Sequence, residues 1–210
     1  MPANRLFRSQ KIEGERVFKG STFHYLLYLN PSYLAKEDKQ YIVDNFGDRM
    51  VKGQVCLDIT KTDTRRNLRN KEYSAIAFVK NAQMPEGSKD EGSGALQFYD
   101  WCEKGRPQLW VNDLCRVTEF LPGQHKPTVS PIEFLFSLFE EYAKTKNLQN
   151  LYLMVDEDKR AILTPIYTNY GFTITADCAP NDSIIMVRPI PQTGGKRKTR
   201  KNNANSGLRF

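Results

Sequence analysis

Between residues 109 and 172 the chain spells a strand, a loop, a capped helix, a second strand and a second helix ended by glycine. No other stretch limits the possible folds as much. Leu109-Trp-Val-Asn-Asp-Leu-Cys-Arg-Val117 has the β-branched, aromatic and apolar content of a largely buried strand. After a loop from Thr118 to Val129, Ser130-Pro131-Ile132-Glu133 reads as a helix start. Ser130 is placed to cap the third helical N–H, Pro131 suits the first helical position, and Glu133 completes a capping box. The helix should run to about Asn147, with Ile132, Leu135, Phe136, Phe139 and Tyr142 on one stripe that Phe134 and Leu138 widen. Leu151 to Val155 is a second buried strand, and Asp156 and Asp158 are cap candidates for a helix carrying Ala161, Ile162, Ile166, Tyr167 and Tyr170 before Gly171. A strand, a helix of roughly 16 residues and another strand imply a right-handed crossover between parallel strands. Ligands of such units bind at the strand C-termini, where helix N-termini meet them.

The remaining chain supplies the partners of this unit. Met1 to Gly20 is polar and basic with little periodicity and reads as a loose lead-in. Ser21 to Leu29 reads as a strand with Asn30-Pro31-Ser32 as its exit turn. A helix of roughly 16 residues to Met50 follows, with Leu34, Tyr41, Ile42 and Phe46 facing inward. Val55 to Ile59 allows a short strand, and Thr64 to Asn70 a basic turn or short helix. Tyr73 to Val79 is a clearer strand, and Met84 to Gly94, with Pro85 and three glycines among charges, reads as a flexible connection. The segments 73–79, 95–102 and 109–117 form an antiparallel meander, and Thr173 to Thr175 with Ser183 to Arg188 a last hairpin around Ala179 to Asp182. This order predicts an α/β protein, an α+β mixed sheet flanked by helices, over residues 21–190.

The formal charge of +7 sits mostly beyond that domain. Lys196, Arg197, Lys198, Arg200, Lys201 and Arg209 supply nearly all of it, and no acid follows Asp182. Residues 191–210 cannot bury enough apolar surface to fold. Their cations suit a solubilising end, a nuclear-type address or weak non-specific nucleic acid contact through 196–201. Cys56, Cys102, Cys115 and Cys178 are widely spaced with no C-x-x-C and no nearby histidine pair, so neither disulfides nor a metal is expected. Cys115, inside a buried strand, reads as a small core residue. No apolar run approaches the roughly 20 residues that cross a bilayer, and the first residues lack the apolar core of a signal peptide. The expectation is no membrane and an intracellular, cytoplasmic or nuclear, location.

The run Leu151-Tyr-Leu-Met-Val-Asp, then Ala161, then Ile166-Tyr-Thr-Asn-Tyr-Gly-Phe172, resembles the second half of a GNAT-family N-acetyltransferase. The resemblance extends, more thinly, over Phe23 to Ile190, and the composition of the tail resembles tails on many proteins of large DNA viruses. The GNAT resemblance implies a central mixed, mostly antiparallel sheet flanked by helices. It also implies acetyl-CoA as cofactor, no metal, and transfer of the acetyl group by direct attack of a primary amine on an acceptor that the sequence does not identify. Carried onto this chain, Leu114, Cys115, Arg116 and Val117 would line the pantetheine arm. Lys126, Thr128, Val129, Ser130 and Ile132 would cradle the phosphates, and Tyr167 would protonate the departing CoA thiolate. The base that receives the ammonium proton would be Asp113, mid-strand beside Asn112, or Glu119 just past the strand end. His125 reads as solvated. The phosphate loop departs from the family pattern: nothing after Gly123 is glycine, and Pro127 and Pro131 each remove an N–H donor. The rival expectation is therefore a binding module that has lost CoA.

Overall fold

Eight strands join in one mixed sheet in the computed structural model, which describes residues 9–46, 60–102, 105–123, 127–175 and 183–191. In chain order they are β1 (Gln10–Phe18), β2 (Ser21–Leu29), β3 (Tyr73–Asn81), β4 (Lys89–Tyr99), β5 (Gln108–Glu119), β6 (Asn150–Val155), β7 (Thr173–Thr175) and β8 (Ile184–Pro189). The helices are α1 (Lys36–Phe46), α2 (Lys61–Arg69), α3 (Pro131–Thr145) and α4 (Arg160–Asn169). The spatial order is β1-β2-β3-β4-β5-β6-β8-β7, antiparallel everywhere except between β5 and β6. The α/β class, the mixed and mostly antiparallel sheet and the parallel pair around α3 all match the sequence reading.

Each face of the sheet carries its own core. Under α3 and α4, the inward residues of β2 to β6 meet Phe134, Leu135, Phe136, Leu138, Phe139, Leu163 and Tyr167. Phe134 stacks on Phe23 at 4.9 Å between centroids, and its edge meets Tyr25. On the other face Tyr28, Ile76, Phe78 and Ala95 meet Ile42, Val43 and Phe46 of α1 and Leu68 of α2. Gly92 and Gly94 let α3 come close. A Cβ at Gly94 would lie 3.0 Å from both the Asp113 carbonyl oxygen and Leu135 Cδ2.

Several expectations are corrected. Residues 10–18, read as part of a loose lead-in, form β1, which is bonded along its whole length to β2. Lys19 and Gly20 both hold positive φ, the two-residue turn whose twist suits a hairpin. β1 is an edge strand, and edge strands carry charge that masks their alternation; Arg16 reaches Glu141 of α3 at 2.6 Å. The connection expected from 84 to 94 is already strand from Lys89. Tyr41 is 44% exposed rather than inward, while its neighbour Val43 is buried. The possible strand at 55–59, the end of the first helix at 47–50, the hairpin turn at 179–182 and the tail lie outside the described residues. Cys102 and Cys115 each form a disulfide, which corrects the expectation of no disulfides and of a plain core role for Cys115. Spacing along the chain says nothing about which cysteines the fold brings together. No helix among the described residues is long and apolar enough to cross a membrane.

Candidate functional site

The site begins with a break in the sheet. β5 and β6 are bonded in parallel only at Leu109 with Leu151 and Trp110 with Tyr152. Beyond that point β6 is bonded to β8 alone and β5 to β4 alone. The cause is visible in the register of β4 and β5: Leu96 faces Val111 but Ala95 faces Asp113, so Asn112 is an inserted residue. A bulge bends its strand and increases the local twist, which carries the far half of β5 away from β6. The insertion also flips the alternation. Leu109 and Val111 point to the α3 core before it, and Leu114 does so after it. The result is a wedge whose one wall is a strand edge of main-chain donors and acceptors.

Along that wall the side chains are committed elsewhere. Leu114 and Val117 are buried, and Cys115 is disulfide-bonded. Arg116 donates to Asp90 Oδ1 at 3.1 Å, and that carboxylate is fully buried. Burial pushes the Asp90 carboxyl up, against the opposing pull of Arg116. Only the backbone of Leu114 to Val117 remains to meet a ligand.

The N-terminus of α3 differs from its sequence reading. Ser130 is the N-cap, but its Oγ accepts from Ile132 N at 3.2 Å rather than from the third helical N–H. Glu133 does not close a capping box; it pairs with Lys19 of the β1–β2 turn. The capping box that does form is at Thr60 and Asp63 of α2, a Thr-x-x-Asp signal the sequence reading passed over. Glu133 N and Phe134 N both bond Ser130 O, and Pro131 has no N–H. Tyr170 donates its hydroxyl proton to Ser130 Oγ at 3.1 Å. The first turn of α3 is thus largely satisfied from within. Ile132 is 6% exposed, and its Cδ1 approaches Gly92. Thr128 is exposed and Val129 buried, and Lys126 and His125 lie outside the described residues.

Of the carboxylates proposed as base, only one stands at the wedge. Asp113 is the first residue past the bulge and is 8% exposed. Its Oδ2 accepts from the Tyr73 hydroxyl at 3.2 Å and from Asn112 Nδ2 at 3.1 Å. The Asn67 amide of α2 lies 3.0 Å from the same tyrosine hydroxyl. Burial raises the Asp113 carboxyl above its ordinary value, the two hydrogen bonds work against that, and Asp63 adds to it. Glu119 stands exposed opposite Lys89, six residues and so about 20 Å further along β5; the fold does not bring it to Asp113. Tyr167 is buried in the α3 core with its ring edge-on to Phe172 at 6.1 Å, and burial pushes its hydroxyl up to about 12. Tyr73, Asn67 and Tyr170 were missed. Tyr73 and Asn67 are ordinary strand and helix residues in sequence, and only the register places them beside Asp113. Among the described residues no group of three or more His, Cys, Asp or Glu is placed to hold a metal.

No family model and no curated protein sequence matches the chain. Among solved structures it is similar to an acetyltransferase of the GNAT family from Listeria monocytogenes 4b F2365, with TM-score 0.47 and 14% identity over 84% of this chain and 99% of that one. It is similar to an acetyltransferase of the GNAT family from Streptococcus pneumoniae, with TM-score 0.44 and 17% identity over 80% and 99%. FeeM, an N-acyl amino acid synthase from uncultured soil microbes, aligns with TM-score 0.40 and 14% identity over 88% and 92%. All three likenesses concern the fold, and the site is read from this chain's own residues.

Proposed function

We propose that this chain is a GNAT-type acyltransferase that takes an acyl group, acetyl in the simplest case, from a CoA thioester to an amine. The observation that carries the reading is the parting of β5 and β6 at the Asn112 bulge. A ligand arm that lies in such a wedge adds itself to the sheet through the edge of β5, which accepts any chain with alternating amides. The pantetheine arm is such a chain, so the wedge fits it. The α3 N-terminus fits diphosphate less well, because Ser130 Oγ and Ser130 O already engage Ile132, Glu133 and Phe134. When bound, acetyl-CoA supplies an activated thioester.

Asp113 takes up the ammonium proton of the acceptor. Its Oδ2 holds both hydrogen bonds, which leaves Oδ1 for the proton, and a carboxyl raised by burial is a stronger base than an exposed one. Tyr167 keeps its own proton at neutral pH. Moving that proton from a phenol at about 12 to a thiolate of ordinary affinity is uphill by roughly 5 kcal/mol, so it acts as a hydrogen-bond donor to sulfur. Main-chain N–H groups of Leu114 to Arg116 bind the acyl oxygen.

The test is unfolding with acetyl-CoA. Saturation at a hundred times Kd stabilises by about 2.7 kcal/mol, roughly 5–11 °C in Tm for a chain of this size. No shift at millimolar acetyl-CoA overturns the reading. That outcome would favour the second reading, a binding module without CoA, for which the internally satisfied first turn of α3 speaks.

A further inference from the structure

Outside the wedge, a basic groove of about 440 Å³ lies between α1 and α2. Lys36 and Lys39 reach it from α1, Arg65 and Arg69 from α2, and Lys71 from the turn into β3; among the described residues no acidic side chain lines it. Among the described residues these five cations make no ion pair. Three acids on these helices are paired elsewhere, Asp38 with Lys11, Asp44 with Lys61 and Asp63 with Arg66. Like charges gathered without counter-charges repel one another, and a polyanion relieves that repulsion. The concentration is local, because the chain outside its tail is close to neutral.

We propose that this groove binds the phosphate backbone of a single-stranded nucleic acid, independently of acyl transfer. The cations recur at i, i+3 on α1 and i, i+4 on α2, about 5–6 Å apart on each helix, which makes two short rows of charge rather than one point. A single phosphate uses few of them, while a strand offers one charge per nucleotide. Arg65 and Arg69 bring planar forks that suit phosphate oxygens. At the rim, Lys71 Nζ sits over the Tyr33 ring at 5.2 Å from its centroid, and Tyr33 is 45% exposed, so a cation and an aromatic side chain stand together at the surface beside the groove.

The experiment is fluorescence anisotropy of a labelled 12-nucleotide mixed-sequence DNA strand with the full-length chain, titrated with salt. Two variants separate the groove from the tail: Arg65→Ala/Arg69→Ala, and a chain with Lys196, Arg197, Lys198, Arg200 and Lys201 changed to Gln. The tail-neutral chain should still bind, with a log–log salt slope of at least about 2, since each strand phosphate contributes about 0.7. In that background the double alanine variant should weaken binding at least tenfold at 0.1 M salt and flatten the slope by about 1.4. Arg65 and Arg69 are both exposed, so an unchanged denaturation midpoint is expected for the variant. Loss of binding in the tail-neutral chain, or equal binding by the double variant, overturns the proposal. Equal competition by pyrophosphate or by polyglutamate also overturns it, the first indicating a small phosphate ligand and the second an acidic peptide.

Discussion

Changing Asp113 to Asn separates a carboxylate kept for chemistry from one kept for structure. The side chain is buried, with Tyr73 and Asn112 both donating to Oδ2. An asparagine oxygen at that place accepts both bonds, so the geometry survives. What changes is charge. Holding an ionised carboxylate out of water costs several kcal/mol, and the two charge-assisted bonds return about 1.5–3 kcal/mol each, against about 0.5–1.5 each to a neutral amide. The raised carboxyl gives the sign of the balance: in the folded chain desolvation outweighs the hydrogen bonds. Asp113→Asn should therefore stabilise the protein at pH 7, by about 1–2 kcal/mol. A group raised on folding contributes stability that is fully present below its unfolded value and lost as pH climbs through the folded one. The advantage of the variant should thus shrink on acidification and vanish below about 3.8, the ordinary value for the group. Urea denaturation of both chains at several pH values reads this directly, and acyl transfer assayed beside it should fall by at least about 10²-fold. A variant that is less stable at pH 7, or an advantage that does not depend on pH, would refute the reasoning.

Two further perturbations probe the same region. Gly94→Ala sets a Cβ 3.0 Å from the Asp113 carbonyl oxygen and from Leu135 Cδ2. It should cost about 1–3 kcal/mol by overpacking, read as a lowered denaturation midpoint; a neutral result would mean that α3 shifts freely. Tyr167→Phe removes a donor from a ring that otherwise only packs, so stability should stay within about 1 kcal/mol while acyl transfer drops about 10²-fold. Unchanged turnover would return Tyr167 to the core.

The order of elements was legible because it is written in short-range signals. The β-branched, aromatic and apolar runs of β2, β3 and β5, the apolar stripe of α3 and the glycine after α4 each span a few residues, and each predicted its element. Charge hid β1, whose Glu13, Glu15 and Arg16 obscure an edge strand that only the neighbouring β2 reveals. Local chemistry also misled at Ser130 to Glu133. The residues of a capping box are present, yet Lys19 draws Glu133 away, and Tyr170 comes from 40 residues downstream to bond Ser130.

By itself, the sequence determined the parallel crossover from 109 to 172 and the residue type at each candidate position, since periodicity and capping act within a turn or two of chain. The tertiary structure decided where β5 leaves β6, which of Asp113 and Glu119 stands at that opening, that Asp113 accepts from Tyr73 with Asn67 beside that tyrosine, and that cations from two helices share one groove. Those outcomes depend on register and on contacts between segments tens of residues apart, and no local pattern of side chains encodes a register.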